Sequence, residues 1–335
     1  MSFRGTTIAW SIAVIISALL LAVVCRMFVV ELYTVAPQQM EQTLLAGDRV
    51  VVEKWHYGVR LPQSYVSLPL IDTLPGSDIP ARLPKQPLPY RRWGERMVGR
   101  NDVILCNYPI DKPIPLSQYP TIATRCVGVP GDTVTAHQGR LYINGEAVAQ
   151  SPIVTEAYLV PDSLLPSVEA AMRAIYDEMP PRQSIGEHRT LFYIDRYNYD
   201  RLCCELPDSI LPRAINLAQD NYTVELPPCG SDVTITPHNA AFYAYIINRY
   251  EPAKVVLHND ALYRGGRRVK SYRFTQPYYW VLSDNRTSAT DSRTFGVLPH
   301  SHVIGRCGMI VFSIDATKRG FNSWRINRFF QMRKL

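Results

Sequence analysis

Residues 33–57 read YTVAPQQMEQTLLAGDRVVVEKWHY, and the organisation of the chain turns on them. The second half, LLAGDRVVVEK from Leu44 to Lys54, is a turn followed by a β-branched strand. Upstream of the stretch, Ile8 to Cys25 is eighteen residues without a charge, and after Arg26 the apolar run continues through Met27, Phe28, Val29 and Val30 to Glu31. A bilayer core takes about 20 apolar residues as helix, so this run is long enough to span one. A cleavable leader has an apolar core of about 7–15 residues that ends in small side chains. This run is longer, and Arg26-Met27-Phe28 is a poor cleavage site. The reading is a retained anchor over 8–30 behind a short segment, 1–7. Only Arg4 flanks it on the N-terminal side, too little charge to orient it.

At 335 residues the chain can hold one large domain or two smaller ones. Its 20 tyrosines and 26 prolines lean towards β-structure with ordered loops. A net charge of +7 suits a solvated basic face, nucleic acid or an anionic membrane. With no nucleic-acid motif present, membrane lipid is the expected partner and nucleic acid is not. The seven cysteines are an odd number, and none has zinc-site spacing. No metal and no cofactor are expected. Cys203 or Cys204 with Cys229 is the candidate bridge should the domain lie outside the cytoplasm.

Taken in order, residues 61–92 are too rich in proline for helix or central strand and read as a covering loop or a substrate-facing flap. Strands are expected at 101–108 and 122–129, the second closed by Pro130-Gly131-Asp132. Asn144-Gly145 predicts a hairpin over 141–148, and Gly265-Gly266 a similar one over 257–269. Helical periodicity runs over 162–179, and a second helix over 237–250 has Thr236 as cap and Pro237 in first position. Strands at 278–284 and 303–312 close the fold. His300 and His302 follow Pro299 in a turn and read as surface residues. The tail, 316–335, interleaves aromatic and basic residues, as a packed terminal helix or a segment at a membrane interface.

Three stretches taken together resemble the bacterial signal peptidase I family: the opening one, TRCVGVPGD from Thr124 to Asp132, and YWVLSDNRTSATDSRTFG from Tyr279 to Gly296. Members of that family cut signal peptides from exported proteins with a serine–lysine dyad. The resemblance covers about residues 20–60, 95–150 and 232–330. It implies a mainly β protein: an N-terminal transmembrane helix, then an antiparallel signal-peptidase-like β domain over 31–150 and 231–315. An inserted α+β subdomain would occupy 151–230. The implied location is the bacterial inner membrane, single-pass, with residues 1–7 cytoplasmic and the main domain on the extracytoplasmic side. The implied partners are signal peptides or exported preproteins.

The frame of each family motif is present, and the reacting residues are not. The family's Pro-Ser-x-Ser-Met-x-Pro-Thr-Leu segment aligns on Met40, Thr43 and Leu44. Its nucleophilic serine then falls on Gln39, its oxyanion-hole serine on Pro37, and its proline on Gln42. A carboxamide has no ionisable proton to give a base, and proline has neither hydroxyl nor N–H to offer an oxyanion. The family's general-base lysine falls on Thr124, and the neighbouring Arg125 stays protonated and cannot replace it. In the third motif Ser283 replaces a glycine, while Asp284, Asn285, Arg286, Asp291, Ser292 and Arg293 match. The serine that orients the lysine falls on Ala289. Asp284, Arg286, Asp291 and Arg293 are expected to form a local ion-pair network.

The expectation is a pseudopeptidase. Its groove, flanked by 39–44 and 122–127, would bind signal peptides, or the chain would hold an active peptidase. Two alternatives stand beside it: an enzyme with a relocated dyad, Thr43 or Ser288 with Lys54, and a tethered adaptor that binds another envelope protein through 151–230.

Overall fold

The computed structural model describes residues 2–36, 40, 43–61, 90–110, 116–137, 140–148, 155–176, 179–185, 188–215, 221–285, 290–315 and 318–331. The chain opens with a helix, Ser2–Phe28. Large apolar side chains on it, from Trp10 to Leu21, stand exposed. Among the residues whose side chains are described, no helical stretch is both long and apolar enough to cross a membrane. The helix passes almost directly into the strand Val30–Thr34, with Val29 N–H donating to the Cys25 carbonyl at the junction.

That strand is the edge of a seven-stranded antiparallel sheet. Its order is Val30–Thr34, Asp48–Glu53, Val303–Ser313, Val103–Asn107, Thr121–Gly128, Tyr278–Leu282 and Leu298–Pro299. Side chains alternate across a strand, so one sheet buries two faces. Val103 and Leu105 join Val50, Val52, Leu44, Met40 and Ile310 on one side. Ile104 and Cys106 join Tyr57, Tyr279, Val281 and Phe295 on the other. The central strand Val103–Asn107 is buried throughout, which is why its sequence, VILCN, is a continuous run rather than an alternation.

A second sheet continues from the Pro130-Gly131-Asp132 turn: Tyr222–Glu225, Thr133–His137, Arg140–Ile143 and Glu146–Ala147. The Asn144-Gly145 hairpin forms as its sequence predicts, both residues at positive φ. The helix Pro237–Tyr250 packs Tyr243, Ile246 and Ile247 into a core with Trp280, Leu282 and Phe274. Thr236 caps its start as expected, and Asn239 closes the cap reciprocally into a capping box.

A separate core forms between these parts of the sequence. The strands Arg182–Ser184, Arg189–Asp195, Thr155–Pro161 and Arg213–Ile215 form one sheet. The helices Leu165–Ile175 and Arg196–Glu205 cover it, enclosing Tyr158, Val168, Met172, Phe192, Ile194 and Leu202. The first helix is shorter than its periodicity. Asp162–Leu164 is a 3-10 turn held by Pro161, and the chain leaves the helix extended at Tyr176.

The structure corrects three expectations. Cys203, Cys204 and Cys229 are free thiols. The first two ride on the helix Arg196–Glu205 of the separate core, whereas Cys229 follows the strand Tyr222–Glu225 of a different sheet. The tail holds no α-helix among its described residues; it makes two 3-10 turns, Gly320–Ser323 and Ile326–Arg328. His300 and His302 are buried, not surface residues. Pro299 does start a turn, but that turn closes under the central sheet, where the Tyr279 hydroxyl meets His300 Nδ1 at 3.1 Å. The proline-rich span 62–89 lies outside the described residues, although Val59–Arg60 pairs with Arg92–Trp93 across its two ends.

Burial, with the Arg92 guanidinium nearby, pushes the His300 imidazole down to about 3. Burial, with Arg60 and Arg249, does the same to His302. A base whose folded pKa lies below its unfolded value takes up a proton on unfolding. Its contribution is complete above the unfolded value near 6.5 and is lost as pH falls from there towards 3. In urea denaturation between pH 7.5 and 4.5, stability is expected to fall with acid. The doubly substituted His300→Asn/His302→Asn chain is expected to show a shallower slope over that range.

Candidate functional site

Three segments far apart in sequence meet at one carboxylate. The Asp284 side chain, at the end of the strand Tyr278–Leu282, accepts from Thr43 Oγ1 at 2.6 Å. It also accepts two bonds from the Arg125 guanidinium, Nε to Oδ1 at 2.8 Å and Nη2 to Oδ2 at 2.7 Å. Arg125 Nη1 donates in addition to the Asn101 carbonyl at 3.0 Å. Thr43 and Asp284 are buried and Arg125 is nearly so. This two-pronged geometry suits guanidinium and carboxylate, and a buried charge pair keeps its place only when its remaining bonds are satisfied in this way. Met40 and Leu44, either side of the Thr43 turn, are buried in the sheet core and fix that turn from below.

A second cluster braces the other half of the third motif. Asp291 caps the short helical turn Ser292–Phe295 by accepting from Arg293 N–H at 3.0 Å, and it accepts from Ser283 N–H at 3.1 Å. The Arg293 guanidinium closes over it at 2.8 Å. Ser292 Oγ accepts from Val281 N–H at 2.9 Å. Among the described residues Asp284 pairs with Arg125 and Asp291 with Arg293. Arg286, Pro37, Gln39 and Ala289 lie outside the described residues.

Thr124 precedes Arg125 on the strand Thr121–Gly128, and its side chain is fully buried. Its Oγ1 has no hydrogen-bond partner among the described residues. Pairing of this strand with Tyr278–Leu282 begins at Arg125, so Thr121–Thr124 extends past the end of that neighbour. Lys54 is engaged elsewhere: its ammonium lies 2.8 Å from Glu31 and donates to the Arg26 carbonyl at the end of the first helix. Thr43, bonded to Asp284, and Lys54, bonded to Glu31, serve separate partners. Among the described residues no three His, Cys, Asp or Glu side chains stand together as a metal set.

Two participants were not legible in the sequence. Arg328 of the tail is buried against Asp48, Nη2 to Oδ2 at 2.6 Å, and donates to the Thr43 carbonyl at 3.1 Å. Asp48 in turn accepts from Leu45 N–H, so one guanidinium holds the whole turn from Thr43 to Asp48. Thr155, at the start of the separate core, donates its N–H to the Asp284 carbonyl at 3.3 Å and bridges Asn285. The Gly47-Asp48 step and the Arg-rich tail were each visible; nothing local joined residues 280 positions apart.

The family model described as "Signal peptidase, peptidase S26" matches residues 8–185 and 250–312. A signal peptidase I of Pseudomonas aeruginosa is 33% identical over 139 residues, 41% of this chain and 38% of that protein. One from Pseudomonas fluorescens is 30% identical over 139 residues, with the same shares. A probable signal peptidase I-2 of Synechocystis is 25% identical over 138 residues, 41% of this chain and 46% of that protein. The aligned stretch thus spans less than half the length of each of these relatives. A crystal structure of a signal peptidase I from Enterococcus faecalis aligns with 63% of this chain and 97% of its own, at 16% identity and a TM-score of 0.24.

Replacing Arg328 by alanine leaves the Asp48 carboxylate buried without its charge partner, which costs about 3–5 kcal/mol. Arg328→Ala is expected to lower the urea midpoint accordingly, with Arg328→Lys recovering part of the loss. Hydrogen exchange at Leu44 to Asp48 is expected to accelerate in the alanine variant more than exchange in the separate core around Phe192. Equal acceleration in both places would deny the tail a local role.

Proposed function

The chain belongs to the signal peptidase family, peptidase S26, and from that premise we propose that it is a non-cleaving member that binds the signal peptides of exported preproteins. The carrying observation is the state of residue 124. The family's base position holds a threonine, fully buried, while Thr43, Arg125 and Asp284 around it are bonded as a complete frame. A threonine hydroxyl cannot take a proton from a nucleophile at neutral pH. With Gln39 at the nucleophile position, Pro37 at the oxyanion position and Ala289 at the base-orienting position, each further part of the reaction lacks its group. Binding needs none of them. An extended peptide is recognised by main-chain bonds and by pockets for alternate side chains. The strand Thr121–Gly128 and the Met40–Leu44 turn would wall such a groove, with Asn285, Arg286, Asp291, Ser292 and Arg293 as its scaffold.

In this reading residues 8–30 anchor the chain in the bacterial inner membrane, with 1–7 cytoplasmic and the remainder outside. The uncharged run Ile8 to Cys25, and the exposed apolar side chains from Trp10 to Leu21, support it. The main domain comprises 31–150 and 231–315, and 151–230 is a subdomain of its own, supported by its separate core. In the adaptor alternative, that subdomain would hold another envelope protein. A relocated dyad is disfavoured, because Lys54 is spent on Glu31 and on the end of the first helix.

The test is a cleavage assay on a purified exported precursor, run with the native chain and with Gln39→Ser/Thr124→Lys/Ala289→Ser. The native chain is expected to bind the precursor without releasing product, and the variant to release it. Activity of the variant is expected to rise through a pKa below the ordinary lysine value, since burial at position 124 penalises the ammonium. Product from the native chain would refute the proposal, and its loss in Lys54→Ala would then locate the base at Lys54.

A further inference from the structure

The inward guanidiniums Arg125, Arg293 and Arg328 each close on an aspartate: Asp284, Asp291 and Asp48. Arg60 and Arg92 do not. They stand directly opposite one another in the short antiparallel ladder of Val59–Arg60 with Arg92–Trp93, and both are half-buried. Like charges facing each other across a ladder repel, and withdrawal from water strengthens the repulsion. Among the described residues both side chains bond only to neutral acceptors.

The two converge on one end of the central sheet. Arg60 Nη1 donates to Asn107 Oδ1 at 2.8 Å, while its Nε and Nη2 make no hydrogen bond among the described residues. Arg92 donates to the Val303 carbonyl, to the Tyr57 carbonyl at 3.3 Å and to the Tyr90 hydroxyl at 2.7 Å. Val303 is the strand partner of Cys106, the neighbour of Asn107, so the two guanidiniums are fixed to adjacent places on neighbouring strands. Burial, then the charge of Arg92, pushes the Arg60 guanidinium down to about 10, and it stays protonated at neutral pH. Arg92 Nη2 also reaches the His300 carbonyl at 3.4 Å. The Tyr279 oxygen accepts from Val98 N–H, so its own proton goes to His300 Nδ1. Nε2 then carries the imidazole proton, buried and without a hydrogen-bond partner among the described residues. Two carboxylates lie nearby. Glu31 is bound to Lys54 at 2.8 Å. Glu95 stands 3.7 Å from His300 Nε2, makes no ion pair with either guanidinium, and at 54% exposure can rotate into water.

We propose that Arg60, Arg92 and the Nε2–H of His300 form a binding site for a tetrahedral dianion of the phosphate class. Charge decides the class. Two facing guanidiniums without an acid are balanced by two negative charges, whereas one carboxylate or one phosphodiester leaves a positive charge uncompensated. Shape agrees, since the guanidinium fork matches phosphate oxygens and the imidazole N–H adds a donor from a third direction. Arg249 is not part of the site; it lies over the Tyr245 and Tyr250 rings, 5.6 Å from each. None of the three side chains bonds to Thr43, Thr124, Arg125 or Asp284, so the site stands whether or not the groove beside Thr124 binds a peptide. A bound dianion would tie the Val59–Arg60 ladder to the ends of the strands Val103–Asn107 and Val303–Ser313.

The test is isothermal titration calorimetry of the full chain in a phosphate-free nonionic detergent, at constant ionic strength. Inorganic phosphate and sulfate are each expected to bind saturably. Acetate and dimethyl phosphate, which carry one charge, are expected to bind more weakly by about tenfold or more. Arg60→Gln and Arg92→Gln are each expected to weaken phosphate binding by about tenfold or more, and Arg60→Lys to lose less. Lys318→Gln/Arg319→Gln, which removes two exposed charges of the tail, is expected to keep the native affinity. Phenylglyoxal labelling of the native chain, read by mass spectrometry, locates the site even where the glutamine variants do not fold. Phosphate is expected to protect Arg60 and Arg92 and to leave the exposed Arg267 and Arg268 reactive. The proposal is overturned by any one of three results: no binding of phosphate to the native chain, acetate binding as tightly as phosphate, or labelling of Arg60 that phosphate does not reduce.

Discussion

The carboxylate of Asp284 is where the structure is tied together. It takes two bonds from Arg125 and one from Thr43, and so joins the turn after the first strand, the middle of the sheet and the motif near the end of the chain. Such a pair is costly to bury and more costly to break, because removal of either partner strands the other charge away from water. A frame of this kind is held by stability alone and persists whatever becomes of the chemistry beside it. Position 124 is under no such constraint. A lysine in that enclosed place would have to lose its charge or carry a desolvation penalty, whereas a buried threonine brings only a hydroxyl, which has no partner among the described residues. The groups that hold this frame together are present, and position 124 takes no part in it.

The same reasoning marks the limits of the sequence. Elements specified by neighbours in the chain were legible: the Asn144-Gly145 hairpin, the Thr236 cap, the alternating Val50 and Val52 and the uninterrupted VILCN of the central strand. Each depends on backbone chemistry or periodicity within a few residues. The frame residues Thr43, Arg125 and Asp284 could be named from motif matches, but the bonds that make them one cluster span up to 241 positions and have no local signal. Arg328 was read only as one charge among several in a basic tail. Its partner Asp48 looked like ordinary turn chemistry, and only the tertiary structure makes them a buried pair.

His300 shows the opposite error. Pro299 followed by two histidines carries turn chemistry, and turns lie mostly at surfaces. The turn does form, but the sheet closes over it. Tyr279 supplies a bond to one ring nitrogen, while Nε2 lies 3.7 Å from Glu95 and makes no hydrogen bond among the described residues. Burial is a property of what packs on a segment, and the composition of three residues does not contain it. The cysteines misled for the same reason. Their spacing allowed a bridge, but Cys203 and Cys229 belong to elements that pack in different cores.

The tail is held by buried charge pairs. A segment that spends its arginines on interior carboxylates and its aromatic side chains on solvent is stable only because the interior pairs are strong, and it is useful only if something apolar meets the outer face. In the same sheet the first strand rises from an apolar helix, and the strand that carries the tail lies two places from it. Of the two walls of the proposed groove, the strand Thr121–Gly128 is fixed within the sheet and the Thr43 turn is held by Arg328 of the tail. Were the chain to grip an extended segment without cutting it, the rigidity of those walls would govern residence time more than any reacting group, since dissociation is where related interfaces differ most.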